Sequence, residues 1–143
     1  MNNLSKNSTT GQPDYSFQKN ERLCSKKIID RLFAEGKSVF AFPLKIVYLE
    51  TVLQTKTPVQ AGFAVSKKNF KRAVQRNLIK RRIREAYRLQ KPEFYNAVND
   101  RQLAVFFVYT AKEIADYKVI ESAIKKGLKK LVRESKAKPT DLV

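Results

Sequence analysis

The sequence predicts an α+β fold in which a small central β-sheet is packed with helices, in the order α-β-β-α-β-α. Amphipathic helical patterns lie near both ends of the chain, and strand-like segments rich in β-branched and aromatic residues lie between them. A long basic segment with helical apolar spacing separates the last two of these strands. The length of 143 residues is typical of one domain. We expect a flexible polar arm over residues 1–20, a single domain over 21–135 and a flexible tail over 136–143.

The first helix is predicted over residues 26–35. Ser25 is a favourable N-cap residue and Gly36 a favourable residue just after a helix end. Four apolar residues recur at helical spacing within this range, namely Ile28, Ile29, Leu32 and Phe33. The pattern therefore indicates a short amphipathic helix.

Two strands are predicted next, over residues 43–51 and 59–66, with a turn at 54–58. Because they are consecutive, a hairpin is the simplest connection between them. Residues 103–109 are apolar without alternation, which indicates a strand buried on both faces at the centre of the sheet.

Two further helices complete the predicted fold. The helix formed by the basic segment should end before Pro92, because proline breaks helices. A last helix should begin after Asp116 and run from about Tyr117 to Ser135. Its apolar side should consist of Val119, Ile120, Ala123, Ile124, Leu128 and Leu131.

The charge balance indicates a polyanionic partner. Thirty basic and thirteen acidic residues give a net charge of +17, which destabilises the free protein through self-repulsion. The chain has no histidine and a single cysteine, so the commonest general base and thiolate zinc sites are excluded. It has no apolar run long enough to span a membrane and no signal peptide, so we expect a cytoplasmic protein.

The basic segment, residues 66–88, has two different sides when placed on a helix. Its predicted core side consists of Ile79, Ile83, Ala86 and Tyr87, which fall within about 100° of arc. A second arc displays Asn77, Lys80, Arg81, Arg84 and Arg88. Several arginines presented together on one rigid helix are suited to gripping phosphates, because each guanidinium can donate two hydrogen bonds.

Three other interpretations of this helix are less favoured. A solvated face would need carboxylates one turn away, and only Glu85 carries a negative charge between residues 66 and 88. A membrane-surface helix would need an exposed apolar face, whereas this one is committed to the sheet. DNA-reading helices are also basic, but here a strand, rather than a helix-turn-helix, precedes the segment.

Two segments, GFAVSKK (62–68) and AVQRNLIKRRIREAYR (73–88), resemble the signature of the bacterial ribonuclease P protein subunit. In that family a strand ending in Ser-Lys-Lys leads into a helix with an Arg-Asn-Arg signature, whose third position is Leu78 here. The similarity includes Arg22-Leu23, the helix ending in Phe33 and Gly36, and Ser38-Val39, and spans about residues 22–135.

The resemblance implies a subunit that assists a catalytic RNA in removing the 5′ leader from precursor tRNA. It implies that the RNA holds the magnesium ions of the active site, so no catalytic residue and no metal site are assigned to the protein. Residues 21–135 would then be an RNA-binding domain without membrane or DNA partners. The residues expected to bind the catalytic RNA are Arg72, Arg76, Asn77, Lys80, Arg81, Arg84 and Arg88, and those expected to bind the leader are Phe33, Lys67 and Lys68.

Some alternatives stay open at this point. A ribosomal or RNA-chaperone protein would also bind structured RNA, without any part in cleavage. Phe33 is equally consistent with a plain core residue, and Arg76 and Asn77 with local capping or ion pairing. The resemblance also implies a left-handed strand–helix–strand crossover, although general rules favour a right-handed one.

Overall fold

The computed structural model of the chain describes residues 15–98 and 101–136. It confirms the α+β class, with three helices and one mixed four-stranded sheet. The helices are α1 (Lys26–Glu35), α2 (Ala73–Val98) and α3 (Tyr117–Lys136), and the strands are β1 (Lys37–Ala41), β2 (Leu44–Glu50), β3 (Val59–Val65) and β4 (Leu103–Tyr109). The predicted elements keep their order, and β1 adds a short edge strand that the sequence did not indicate.

The sheet has the spatial order β1-β2-β4-β3, so the last strand in the chain lies between the two strands that precede it. Its central position confirms the prediction for residues 103–109. The predicted hairpin between the second and third strands is wrong. β2 instead pairs with β1 through a tight turn at Phe42-Pro43, whose peptide bond is cis, and β3 pairs in parallel with β4. α2 makes the crossover between these parallel strands, and its hand stays a prediction.

Helices cover the two faces of the sheet unequally. α2 and α3 pack on one face and enclose the main core, which includes Ile83, Phe107 and Ile124, each fully buried. α1 packs on the other face, where Leu32 contacts a smaller cluster with Val47 and Ala104. The apolar side chains of β4 therefore alternate between two cores, which explains why its sequence does not alternate in polarity.

α1 has the predicted bounds, but Gly36 serves a different purpose from the one expected. The Ser25 hydroxyl accepts a hydrogen bond from the Ile28 amide at 3.3 Å, confirming the N-cap. Gly36 has an extended backbone, with φ of −69°, and so does not use glycine's left-handed freedom. A Cβ there would overlap the carbonyl oxygens of Leu32 and Tyr48. Gly36 therefore permits close approach of the chain to β2.

α2 continues to Val98, so the prediction that it ends before Pro92 is wrong. Proline inside a helix removes a hydrogen bond and costs about 3 kcal/mol. Beyond Pro92, however, the helix buries Phe94 and Val98 in the main core. The burial of these side chains offsets the free-energy cost of the proline, so the helix continues beyond Pro92.

The polar segment before α1 is tied to the second half of α2. Phe17, within the predicted arm, packs edge-on against Phe63 at 5.7 Å and is half-buried, so the packed region begins before residue 21. Residues 1–14 of that arm lie outside the described residues. Glu21 is buried and accepts hydrogen bonds from the ammonium of Lys91 at 2.8 Å and the hydroxyl of Tyr95 at 2.6 Å. The Lys91 ammonium also donates to the Ser16 carbonyl.

α3 extends one residue beyond its predicted end and includes Lys136, the first residue of the predicted tail, and residues 137–143 of that tail lie outside the described residues. The Asp116 carbonyl accepts hydrogen bonds from the Val119 and Ile120 amides, at 3.0 and 3.2 Å, at the start of the helix. Five of the six predicted apolar residues are buried, but Val119 is 44% exposed, because it lies at the edge of the helix rather than over the sheet. Gly127 is buried against Ile46, where a Cβ would overlap that side chain.

Candidate nucleic-acid interface

The stripe of α2 is formed by Asn77, Lys80, Arg81 and Arg84 and lies on the side of the helix away from the sheet, and Arg72 is exposed just before the helix begins. The opposite side is fixed, because Ile79, Ile83, Ala86 and Tyr87 are fully buried as predicted. In the described part of the chain, neither the four stripe side chains nor that of Arg72 forms an ion pair or a hydrogen bond with the protein. The stripe therefore presents donors and positive charge that the fold itself does not use.

Two of the predicted RNA-binding arginines also have partners within the fold, and their contact with RNA stays a prediction. Arg76 donates from Nη1 to the carbonyls of Phe70 and Lys71, at 2.8 and 2.9 Å. Its guanidinium thus closes the loop that precedes α2, which is the local role left open by the sequence. Arg88 pairs with Glu85 at 2.6 Å, and this hydrogen bond lowers the pKa of the Glu85 carboxyl.

Phe33 lies at the border between covered and open parts of the α1 face of the sheet. Its side chain is 51% exposed and meets the ring of Phe106 edge-on at 5.2 Å. Gly62 lies beside Phe106 in the sheet, and a Cβ there would overlap that ring. The sheet thus makes room for an aromatic pair that is partly open to solvent. Phe33 is not a plain core residue.

Lys67 and Lys68 lie in the loop that follows β3, and both are exposed. The Ser66 hydroxyl accepts a hydrogen bond from the Lys68 amide at 3.0 Å, and buried Phe70 anchors the loop in the main core. The end of β3 pairs with Tyr109, three residues along β4 from Phe106. At about 3.3 Å per residue, the lysine loop leaves the sheet roughly 10 Å along the strands from the aromatic pair.

The described residues also show basic groups that the sequence argument missed. α3 carries six exposed lysines, namely Lys118, Lys125, Lys126, Lys129, Lys130 and Lys136. Their spacing along the helix is visible in the sequence, where they alternate with the apolar residues that pack on the sheet. Together with the stripe of α2, they make the helical face of the sheet cationic.

The described residues contain neither a cluster of metal ligands nor a helix suited to spanning a membrane. Within residues 15–98 and 101–136, no three His, Cys, Asp or Glu side chains come together in a way that could hold a metal ion. None of the helices in that part of the chain combines the length and apolarity needed to cross a bilayer.

Comparison with known proteins identifies the family. The model of the family described as Ribonuclease P matches residues 17–132. Ribonuclease P protein components from Porphyromonas gingivalis W83 and Chlorobium phaeobacteroides are each 35% identical over 121 residues. The first alignment covers 83% of this chain and 88% of the relative, and the second covers 76% and 83%.

Solved structures agree at the level of the fold. The ribonuclease P protein of Staphylococcus aureus matches with a TM-score of 0.63 and 22% identity, over 79% of this chain and 96% of that one. The Thermotoga maritima protein matches with a TM-score of 0.61 and 22% identity, over 77% of this chain and 96% of that one. Given the family model and these relatives, the chain belongs to the ribonuclease P protein family.

Proposed function

We propose that this chain assists the catalytic RNA of ribonuclease P in removing the 5′ leader from precursor tRNA, by binding both the RNA and the leader. Its family places it in tRNA 5′ processing as the protein component of an endoribonuclease complex. The observation that carries the finer proposal is the stripe of α2, whose cations have no partner in the described part of the chain. A rigid helix with free arginines binds a folded RNA backbone at little ordering cost.

The leader is proposed to lie on the open α1 face of the sheet. A single strand can stack a base on Phe33, beside Phe106, and continue toward Lys67 and Lys68, which neutralise its phosphates. Stacking combined with cations binds single strands of mixed sequence, since every base has a π-face. This suits leaders that differ from one precursor to the next.

The chain has no histidine, the commonest general base near neutral pH, which supports a division of labour between the protein and an RNA partner. We propose that the RNA partner holds the magnesium ions and carries out phosphodiester hydrolysis, and that the protein alone is inactive. The cytoplasm, where precursor tRNA is processed in bacteria, is the proposed compartment.

The test is cleavage of precursor tRNA by the catalytic RNA at low magnesium, with and without the protein. Leader removal restored by the protein is the expected result, because added cations replace part of the ionic screening that the RNA needs. The matched measurement compares binding of precursor and mature tRNA to the complex. Binding without improved cleavage, and with equal affinity for both tRNAs, would favour a ribosomal or RNA-chaperone protein. Specific cleavage by the protein alone would contradict its proposed inactivity.

A further inference from the structure

A groove lies between the β1–β2 turn and the first half of α3, away from the surfaces described above. It has a volume of about 530 Å³, within the range of small-ligand sites. It is lined by Ala41, Phe42, Lys118, Val119, Ser122, Ala123 and Lys126. It borders α3 on the opposite side from α2 and lies on the other face of the sheet from Phe33.

The aromatic ring in this groove is presented by a fixed turn. Phe42 is 66% exposed, the most exposed phenylalanine of the described residues. The carbonyl of the next residue, Pro43, accepts hydrogen bonds from both the amide and the hydroxyl of Thr110, at 2.8 and 3.0 Å. Gly127 lets α3 approach Ile46 closely, which seats the helix against the same hairpin. A partner that stacks on Phe42 therefore meets a turn that is already ordered.

The charge of the groove indicates which partner it fits. Lys118 and Lys126 are exposed on its helical wall, and no carboxylate is among its lining residues. Val119, 44% exposed, adds an apolar surface between them and Phe42. An apolar peptide would leave both ammonium groups without a counter-charge. A nucleotide has a flat base for the ring and a phosphate for the lysines.

We infer that this groove is a second contact surface for single-stranded RNA, in which one base stacks on Phe42 and flanking phosphates pair with Lys118 and Lys126. It is separate from the stripe of α2 and from the proposed leader face. An RNA segment there contacts the end of the molecule formed by the β1–β2 turn.

The absence of tryptophan from the chain allows a local test. The Phe42→Trp variant of the full chain places a single fluorescent ring at the groove. Titration with a short single-stranded oligoadenylate should quench its emission, because the base stacks on the indole. The matched control is Val52→Trp, which is 83% exposed beyond the other end of β2 and should be quenched little. Equal quenching of both variants, or none of Phe42→Trp, would overturn the inference.

The lysines are tested in the same background. Lys118→Glu with Lys126→Glu should raise the RNA concentration for half-maximal quenching about ten-fold or more, since charge-assisted bonds to phosphates are lost. Lys125→Glu with Lys129→Glu makes the same charge change on the same helix and should have a smaller effect. Equal effects of both pairs would contradict a local role for Lys118 and Lys126, because the loss of RNA affinity would then depend only on the net charge of the protein. Emission that changes with protein concentration alone would assign the groove to a second copy of the chain. The cleavage assay tests the proposed function separately, so failure of the groove inference would leave that proposal unchanged.

Discussion

Reversing Arg81 and Arg84 to glutamate tests the stripe of α2 most directly. Both side chains are exposed and have no partner in the described part of the chain. They lie three residues apart on one side of the helix, where Cβ atoms are about 5–6 Å apart. The double variant therefore changes what the RNA meets while leaving the packed side of α2 untouched.

The expected loss of RNA affinity is large. A hydrogen bond to a charged group contributes about 1.5–3 kcal/mol, so two lost arginine–phosphate contacts correspond to about 3 kcal/mol or more, roughly 100-fold in affinity. Each phosphate contact on a duplex adds about 0.9 to the slope of log affinity against log salt. The double variant should therefore lower that slope by about 1.8.

The expected loss of stability is small. Arg81→Glu places a like charge one turn before Glu85, which costs about 0.2–0.5 kcal/mol. Arg84→Glu removes the repulsion from Arg88 one turn later, which stabilises the helix by a similar free energy. The net change should stay within about 0.5 kcal/mol, or about 2 °C in Tm for a chain of this length.

The assay is binding of the catalytic RNA over a series of potassium chloride concentrations, with thermal unfolding followed by circular dichroism. The matched control is Lys26→Glu with Arg31→Glu on α1, where both native residues are exposed and near carboxylates one turn away. It makes the same change in net charge on the opposite face of the sheet. An equal loss of affinity in the control would refute a local role for the stripe. A fall in Tm above about 5 °C in the test variant would show that its arginines are structural.

Three further predictions follow from the site and the core. Phe33→Ala should lower the ratio of precursor to mature tRNA affinity about five-fold or more, while Phe33→Tyr preserves it; an unchanged ratio after alanine would exclude stacking there. Lys91→Met should lower the free energy of unfolding in urea by about 3–5 kcal/mol, because it leaves Glu21 buried without its ion-pair partner; a loss below about 1 kcal/mol would contradict a desolvated pair. Burial and the hydrogen bond to Glu21 raise the pKa of Tyr95, so the folded state keeps a proton that the unfolded chain loses near pH 10. Its contribution to stability should be complete below that pH and decrease above it, and a Tyr95→Phe variant with the same loss of stability at alkaline pH would disprove this.

Local sequence patterns predicted the elements that are determined by their own end residues, whose apolar side chains face a single core, or which are buried on both faces. The bounds of α1 followed from Ser25 and Gly36, although Gly36 proved to be needed for close approach. The buried side of α2 followed from helical spacing, because the residues Ile79, Ile83 and Tyr87 all face one core. The unbroken apolar run of β4 reflects burial on both faces, which only a central strand has.

Sequence patterns failed where distant residues decide the outcome. Strand pairing depends on which segment lies between β2 and β3 in the sheet. That segment is β4, which begins more than thirty residues after β3 ends, so no local pattern indicates the pairing. β1 is short and partly polar and gains its stability from pairing with β2. The continuation of α2 through Pro92 depends on burial of Phe94 and Val98. Engagement of Arg76 with the preceding loop is likewise a three-dimensional fact that charge counting does not contain.

The position of β4 also has a consequence for synthesis of the protein. β2 and β3 emerge from the ribosome well before β4, and neither has its inner neighbour until residue 109 has been made. During that interval the nascent chain holds two apolar strands with unpaired backbone edges and a strongly cationic α2. The sheet forms only when a late segment inserts between two earlier ones, so most of its pairing is non-local and slow to form. Mutations in β4 should therefore reduce the yield of folded chains during translation more severely than equally buried changes in α3, because every long strand of the sheet depends on its arrival.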